Sequence, residues 1–169
     1  MREKKQVFVA LGSNIGFREK YLRRARVFLR EIFPGFWQES PLYVTAPVGP
    51  EGQDDYLNQV VSFNSDWGAM DVLREFKRIE MLMGRQKRER WGAREIDIDL
   101  LYLGRELIDT EQLSVPHLSI AQRSFVLKPM YDLAPEFYDV RTKETIATML
   151  LNLQKSDNYT SAELWSPNL

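Results

Sequence analysis

Two short stretches of this sequence hold residue types whose spacing points to chemistry. The first is Glu95-Ile-Asp-Ile-Asp-Leu-Leu-Tyr-Leu, the clearest strand pattern in the chain. Side chains alternate across a strand, so Glu95, Asp97 and Asp99 are predicted on one face and Ile96, Ile98 and Leu100 on the other. The apolar face is suited to packing. The acidic face sets carboxylates side by side, where like charges destabilise one another unless a cation lies between them. Oxygen ligands with no His or Cys close by favour magnesium over zinc. On spacing alone, an acidic outer face bathed in water fits as well as a metal site.

The second stretch is Gly84-Arg-Gln-Lys-Arg-Glu-Arg-Trp-Gly-Ala-Arg, which places five cations just ahead of the paired aspartates. Guanidinium and ammonium groups suit phosphate oxygens, and arginine can grip them in bidentate fashion. A metal beside a cationic loop is what phosphoryl-type transfer needs, because that chemistry is mostly positioning and charge neutralisation. Gly84 and Gly92 are candidate hinges for such a loop. A run of cations also serves as a solvated surface or, with Trp91 as a stacking residue, as an RNA contact. There is no G-x-x-x-x-G-K-[ST] run, and Gly12-Ser-Asn-Ile-Gly lacks its lysine, so a P-loop is excluded.

Bulk properties narrow the field. A length of 169 residues favours one domain, 1–169, and 44% hydrophobic residues suits a globular protein. The formal net charge of −1 gives no global basic field, so nucleic acid is not an expected partner. No apolar run is long enough to span a bilayer, and the charged N-terminus does not read as a secretion signal. Cysteine is absent, which rules out thiolate metal sites and thiol nucleophiles and fits a cytoplasmic setting.

The elements that must position these groups follow from periodicity. Residues 7–11 read as a buried strand, 21–33 as an amphipathic helix ended by Pro34-Gly35, and 36–44 and 56–64 as strands. A helix is predicted over 69–83, capped by Ser65 or Asp66 and closed by Gly84. With the strand at 95–103 the order is β-α-β-β-α-β, the ferredoxin-like split βαβ arrangement of an α+β sandwich. Beyond it, 105–116 reads as a hairpin, 119–130 and 143–153 as short helices, and 154–169 as a loosely attached tail.

Arg90-Trp-Gly-Ala-Arg-Glu-Ile-Asp-Ile-Asp-Leu-Leu resembles the signature of the 6-hydroxymethyl-7,8-dihydropterin pyrophosphokinase family. Other landmarks of that family follow in order: Leu11-Gly-Ser-Asn, Tyr43-Val-Thr-Ala-Pro-Val-Gly-Pro, Asp55-Tyr-Leu-Asn, Arg78-Ile-Glu, Val115-Pro-His and Arg123-Ser-Phe-Val. The similarity runs over about residues 7–150. It implies a ferredoxin-like fold with a mostly antiparallel sheet. It also implies an activity: transfer of pyrophosphate from ATP to the pterin hydroxymethyl group, with AMP released.

The resemblance further implies roles for particular residues. Asp97 and Asp99 would hold two magnesium ions against the triphosphate, while Arg94, Lys87 and Arg88 neutralise phosphate charge. Tyr56 and Phe125 would sandwich the pterin ring, with Asn58 and the backbone near Thr45 and Val48 reading its edge. Ser114, His117, Arg123, Ile98 and Trp91 would meet the nucleotide, with Lys77 and Glu80 at its outer rim. The family pattern often carries proline where Ala93 stands, commonly an aromatic where Leu118 stands and, in some members, a basic residue at Gln112; the basic loop is one residue shorter than in some. Two competing functions fit parts of the pattern: a non-catalytic RNA- or ligand-binding module, and a magnesium-dependent ATP enzyme with another acceptor. Neither requires Tyr56, Asn58 and Phe125 together. A monomer is expected.

Overall fold

Alternation in the central strands creates a sheet with two unlike faces, and the whole site depends on that difference. In the computed structural model, which describes residues 2–167, β1 (Lys5–Ser13) sends Val7, Val9 and Leu11 to one face and Phe8, Ala10 and Gly12 to the other. α1 (Arg18–Ile32) follows, burying Leu22, Ala25 and Leu29 on the first face. Pro34 and Gly35 end it, with Gly35 at φ +111°.

The strand expected at 36–44 is broken into β2 (Trp37–Glu39) and β3 (Tyr43–Thr45). Ser40 causes the break. Its amide donates to the Val60 carbonyl and its hydroxyl accepts from the Val60 N–H, so the chain steps outward before Pro41. Both pieces pair antiparallel with β4 (Tyr56–Ser65). α2 (Ala69–Leu82) then buries Val72, Phe76 and Ile79 beside α1. Its cap is Gly68, not Ser65 or Asp66. The Ser65 hydroxyl is used earlier, accepting from the Trp67 N–H to turn the chain.

β5 (Asp97–Leu103) pairs antiparallel with β1 and starts two residues later than predicted. Glu95 therefore stands outside the strand; its buried carboxylate accepts from the Gln86 N–H and from Arg88. A hairpin of β6 (Ile108–Asp109) and β7 (Ser114–Val115) comes next, then a 3-10 turn at Ile120–Gln122 and α3 (Ser124–Leu133). A second hairpin, β8 (Tyr138–Asp139) and β9 (Glu144–Thr145), leads into α4 (Ile146–Gln154), whose Thr145 cap accepts from the Thr148 N–H at 3.2 Å. α3 and α4 bury Val126, Leu127, Met130, Ile146 and Met149 on Phe8, Val60 and Leu101, the second sheet face.

The C-terminal segment departs from expectation. Instead of lying loose, it forms β10 (Glu163–Leu164), which adds to β3. Ala162 is buried, and the Trp165 N–H donates to the Leu42 carbonyl at 2.9 Å. Residues 168–169 of the predicted tail lie outside the described residues.

Strand order in the main sheet is β10-β3-β4-β1-β5, with neighbours antiparallel. The first strand and the β2–β3 segment are thus separated by β4, which is the split βαβ topology. α1 and α2 pack on one face. α3 and α4 cover only part of the other, and the uncovered part is a cavity.

Candidate active site

The floor of the cavity is written in the strand register. Asp97 lies opposite Gly12 and Asp99 opposite Ala10, so the acid pair has only a hydrogen and a methyl beside it on β1. One strand further, Gly12 lies opposite Asn58. A Cβ on Gly12 would sit 3.4 Å from Asn58 Oδ1 and 3.6 Å from Tyr56 Cδ1, so glycine leaves the gap these side chains lean into. The cavity above encloses about 650 Å³, ample for a drug-sized ligand.

At the β5 end the charges are dense. Arg85 Nη2 stands 3.0 Å from Asp97 Oδ1 and its other arm bonds Glu80; Arg94 Nη1 is 3.7 Å from Asp97 Oδ1. Burial, then the neighbouring Asp99 charge, pushes Asp97 up to about 6, against the pull of Arg85, Lys77 and Arg123. Asp99 is also held above the usual carboxylate range by burial and by Glu80. Surrounding cations do not fully satisfy this pair. Among the described residues no group of three or more His, Cys, Asp or Glu forms an all-protein metal cage. Two hard carboxylates still suit magnesium, which is commonly held by one or two carboxylates together with substrate phosphates.

Glu80, predicted on the rim, is instead buried under the floor. It accepts from Lys77, Arg85 and the Ile98 N–H, the last at 3.0 Å, and burial raises its pKa. Ile98 packs its side chain in the core. Arg88 is turned to Glu95. Lys87 and Ser114 do not line the cavity; Thr45, Val48, Tyr56, Asn58, Lys77, Trp91, Arg94, Asp97, Asp99, His117, Arg123 and Phe125 do.

At the β3 end the groups are neutral and locked. Asn58 Nδ2 donates to Thr45 Oγ1 at 2.9 Å and to the Tyr43 carbonyl at 3.4 Å, which leaves Oδ1 as an acceptor. Burial and the Asp97 charge push the Tyr56 phenol up to about 12, so it stays protonated. Phe125 enters from the start of α3, with the Arg123 guanidinium 5.6 Å from its ring centre. His117 belongs instead to the β5 edge, where its backbone N–H donates to the Leu101 carbonyl at 3.1 Å; its Nδ1 accepts from the Ser119 N–H at 3.1 Å, so the ring proton resides on Nε2. Burial and Arg123 lower this histidine to about 4 and keep it neutral.

Several contributors escaped sequence reasoning. Arg85 was one of five loop cations with no mark to distinguish it. Asn14 looked like part of a turn, yet it is buried and ties the loops around the cavity together. Its backbone N–H donates to the Arg94 carbonyl, its Oδ1 accepts from the Arg94 N–H, and its Nδ2 reaches Gln53 Oε1 and the Asp54 carbonyl. Gln53 in turn donates to the Trp91 carbonyl at 2.9 Å. Trp91 adopts φ 65°, unusual for a bulky residue. Gly49 sits so close that a Cβ there would be 2.6 Å from Trp91 Cβ. Ser119, Gln122, Ser124 and Thr160 also line the cavity.

Residues 8–135 match the family described as 7,8-dihydro-6-hydroxymethylpterin-pyrophosphokinase. The chain belongs to that family. It is 40% identical over 130 residues to the 2-amino-4-hydroxy-6-hydroxymethyldihydropteridine pyrophosphokinase of Bacillus subtilis, covering 76% of this chain and 78% of the relative. The Pseudomonas aeruginosa protein of the same name is 38% identical over 132 residues, 78% of this chain and 82% of that one. Among solved structures, wild-type Plasmodium falciparum HPPK-DHPS with pteroate superposes with a TM-score of 0.71 at 16% identity. That match covers 90% of this chain and 43% of the longer one, and it shows the shared fold. As a member of the pyrophosphokinase family, the chain transfers pyrophosphate from ATP to hydroxymethyldihydropterin in folate biosynthesis.

Proposed function

We propose that one domain, residues 1–169, performs this transfer with magnesium held at Asp97 and Asp99. The observation that carries the proposal is their placement. Two same-face carboxylates, short of compensating charge, open into the same cavity as the neutral groups Asn58, Thr45, Tyr56 and Phe125. Asp97 and Asp99 would hold the ions, and magnesium, when bound, would supply neutralisation of triphosphate charge. The pterin hydroxyl oxygen bonds to the β-phosphorus in line as the α–β phosphoanhydride bond breaks and AMP leaves.

The chain's own residues would do the rest. Arg85, Arg94, Lys77 and Arg123 receive phosphate charge, and Lys87 and Arg88 would join them only if the loop rearranges, with Arg88 giving up Glu95. Asn58 Oδ1 accepts from a ring N–H of the pterin while its amide hydrogens stay on Thr45 and Tyr43. Tyr56 and Phe125 hold the ring faces, a geometry aromatics favour. His117 offers Nε2–H to the nucleotide, and Trp91 and Val48 exclude water from the rim; Ser114 and Ile98, which do not line the cavity, would meet the nucleotide only if the surrounding chain rearranges. Glu80 serves from beneath, fixing Arg85 and the Ile98 N–H between the two aspartates.

No helix in the described residues is long and apolar enough to cross a membrane. We further propose a cytoplasmic monomer, since one chain supplies every group named here; analytical ultracentrifugation tests this. Incubation with ATP, magnesium and hydroxymethyldihydropterin should release AMP in step with pterin diphosphate. Undiminished AMP after chelation of divalent ions would overturn the magnesium assignment.

A further inference from the structure

The geometry points to the segment 159–165 as a strap that shapes the pterin end of the cavity, a reading that rests on the assignment of Asn58 and Thr45 to the pterin. The strand order β10-β3-β4-β1-β5 sets out the cavity like a ruler. The acid pair stands on β5 at one edge, Asn58 on β4, and Thr45 on β3. β10 lies beyond β3, at the opposite edge of the sheet from Asp97 and Asp99. The chain leading into β10 therefore passes the ring end. Thr160, in that segment, lines the cavity with Ser124 and Phe125.

The strap is fastened from both layers. On the sheet side, Leu164 pairs with Tyr43 and Glu163 with Val44. On the helix side, the Ser124 hydroxyl donates to the Thr160 carbonyl, and Lys128 Nζ donates to the Ala162 carbonyl at 2.7 Å. The same ammonium lies 5.9 Å from the Tyr159 ring centre. Ser124 immediately precedes Phe125 and begins α3. Its hydroxyl thus couples the strap to the backbone that presents the ring-holding aromatic. The strap itself, residues 159–165, lies outside the 8–135 stretch that matches the family, while its anchors Tyr43, Val44, Ser124 and Lys128 lie within it. The strap positions Phe125 through Ser124, and Thr160 forms the outer wall against which the pterin seats.

This assignment predicts a split between the two substrates. A chain ended after Asp157, and a full-length Thr160→Trp protein, should each raise the pterin Kd and KM about tenfold. The ATP KM should stay within about twofold in both, because the phosphate end lies at the other edge. Thr160→Ser should restore near-normal pterin binding. Thr160 is exposed, so Thr160→Trp decides the matter if the shortened chain fails to fold, as checked by circular dichroism. Pterin and ATP constants that move together, or neither moving in a folded variant, would overturn the strap. A wild-type protein that binds pterin but forms no AMP would instead count against the functional reading.

Discussion

The two ends of the cavity are built on opposite principles. At the β3 end, Asn58, Thr45 and the Tyr43 carbonyl satisfy one another while leaving one acceptor free, so the recognising group is already aimed. At the β5 end, Asp97, Glu80, Arg85 and Arg94 satisfy one another only in part, and the acids remain raised in pKa. A neutral ring can be met by fixed groups. A charged polyphosphate needs partners that exchange, because permanently paired ions would have nothing left to offer.

The largest effect should come from breaking the charged end. Asp97→Ala is expected to lower kcat by about 10³-fold or more while circular dichroism stays unchanged. Arg85→Ala comes next, with kcat/KM for ATP down by roughly 10²-fold, since both Asp97 and Glu80 lose their shared cation. Asn58→Ala tests the neutral end. The pterin KM should rise by about 10- to 50-fold with the ATP KM unmoved, the mark of lost ring recognition.

A smaller effect has the opposite sign. Asp97 titrates near 6 in the folded protein, against an ordinary value of 3.8. Between those values the folded state binds more protons than the unfolded one, so metal-free stability falls as pH rises and levels off above about 6. Asp97→Asn should therefore stabilise the metal-free protein at pH 7 by about 1–3 kcal/mol, less the Arg85 contact it weakens. That gain should vanish below pH 4, as thermal melts across pH would show. For the same reason, magnesium affinity in the wild type should fall about tenfold per pH unit once pH drops below about 6.

Much of this was legible in the sequence, for identifiable reasons. The alternation of Ile98 and Leu100 with Asp97 and Asp99 fixed which side chains pack and which face the cavity. The apolar spacing of α1 and α2 placed both helices. Long-range polar pairing left no such trace. Ser40 breaks a strand by bonding Val60, twenty positions away. Glu95 is drawn off the acidic face by Arg88, and Glu80 is drawn beneath the floor by Arg85 and Ile98. The tail looked loose because its composition is polar, yet its anchors are mostly backbone carbonyls, which any residue supplies.

Transfer at this site depends on Asp97 and Asp99 together holding divalent ions against a polyphosphate. Isothermal titration of α,β-methylene-ATP, with and without magnesium, into wild type and the Asp97→Asn/Asp99→Asn double variant addresses this directly. Magnesium-dependent binding in the wild type, abolished in the double variant with its fold intact, is the predicted result. Equal magnesium-dependent binding by both proteins would contradict it.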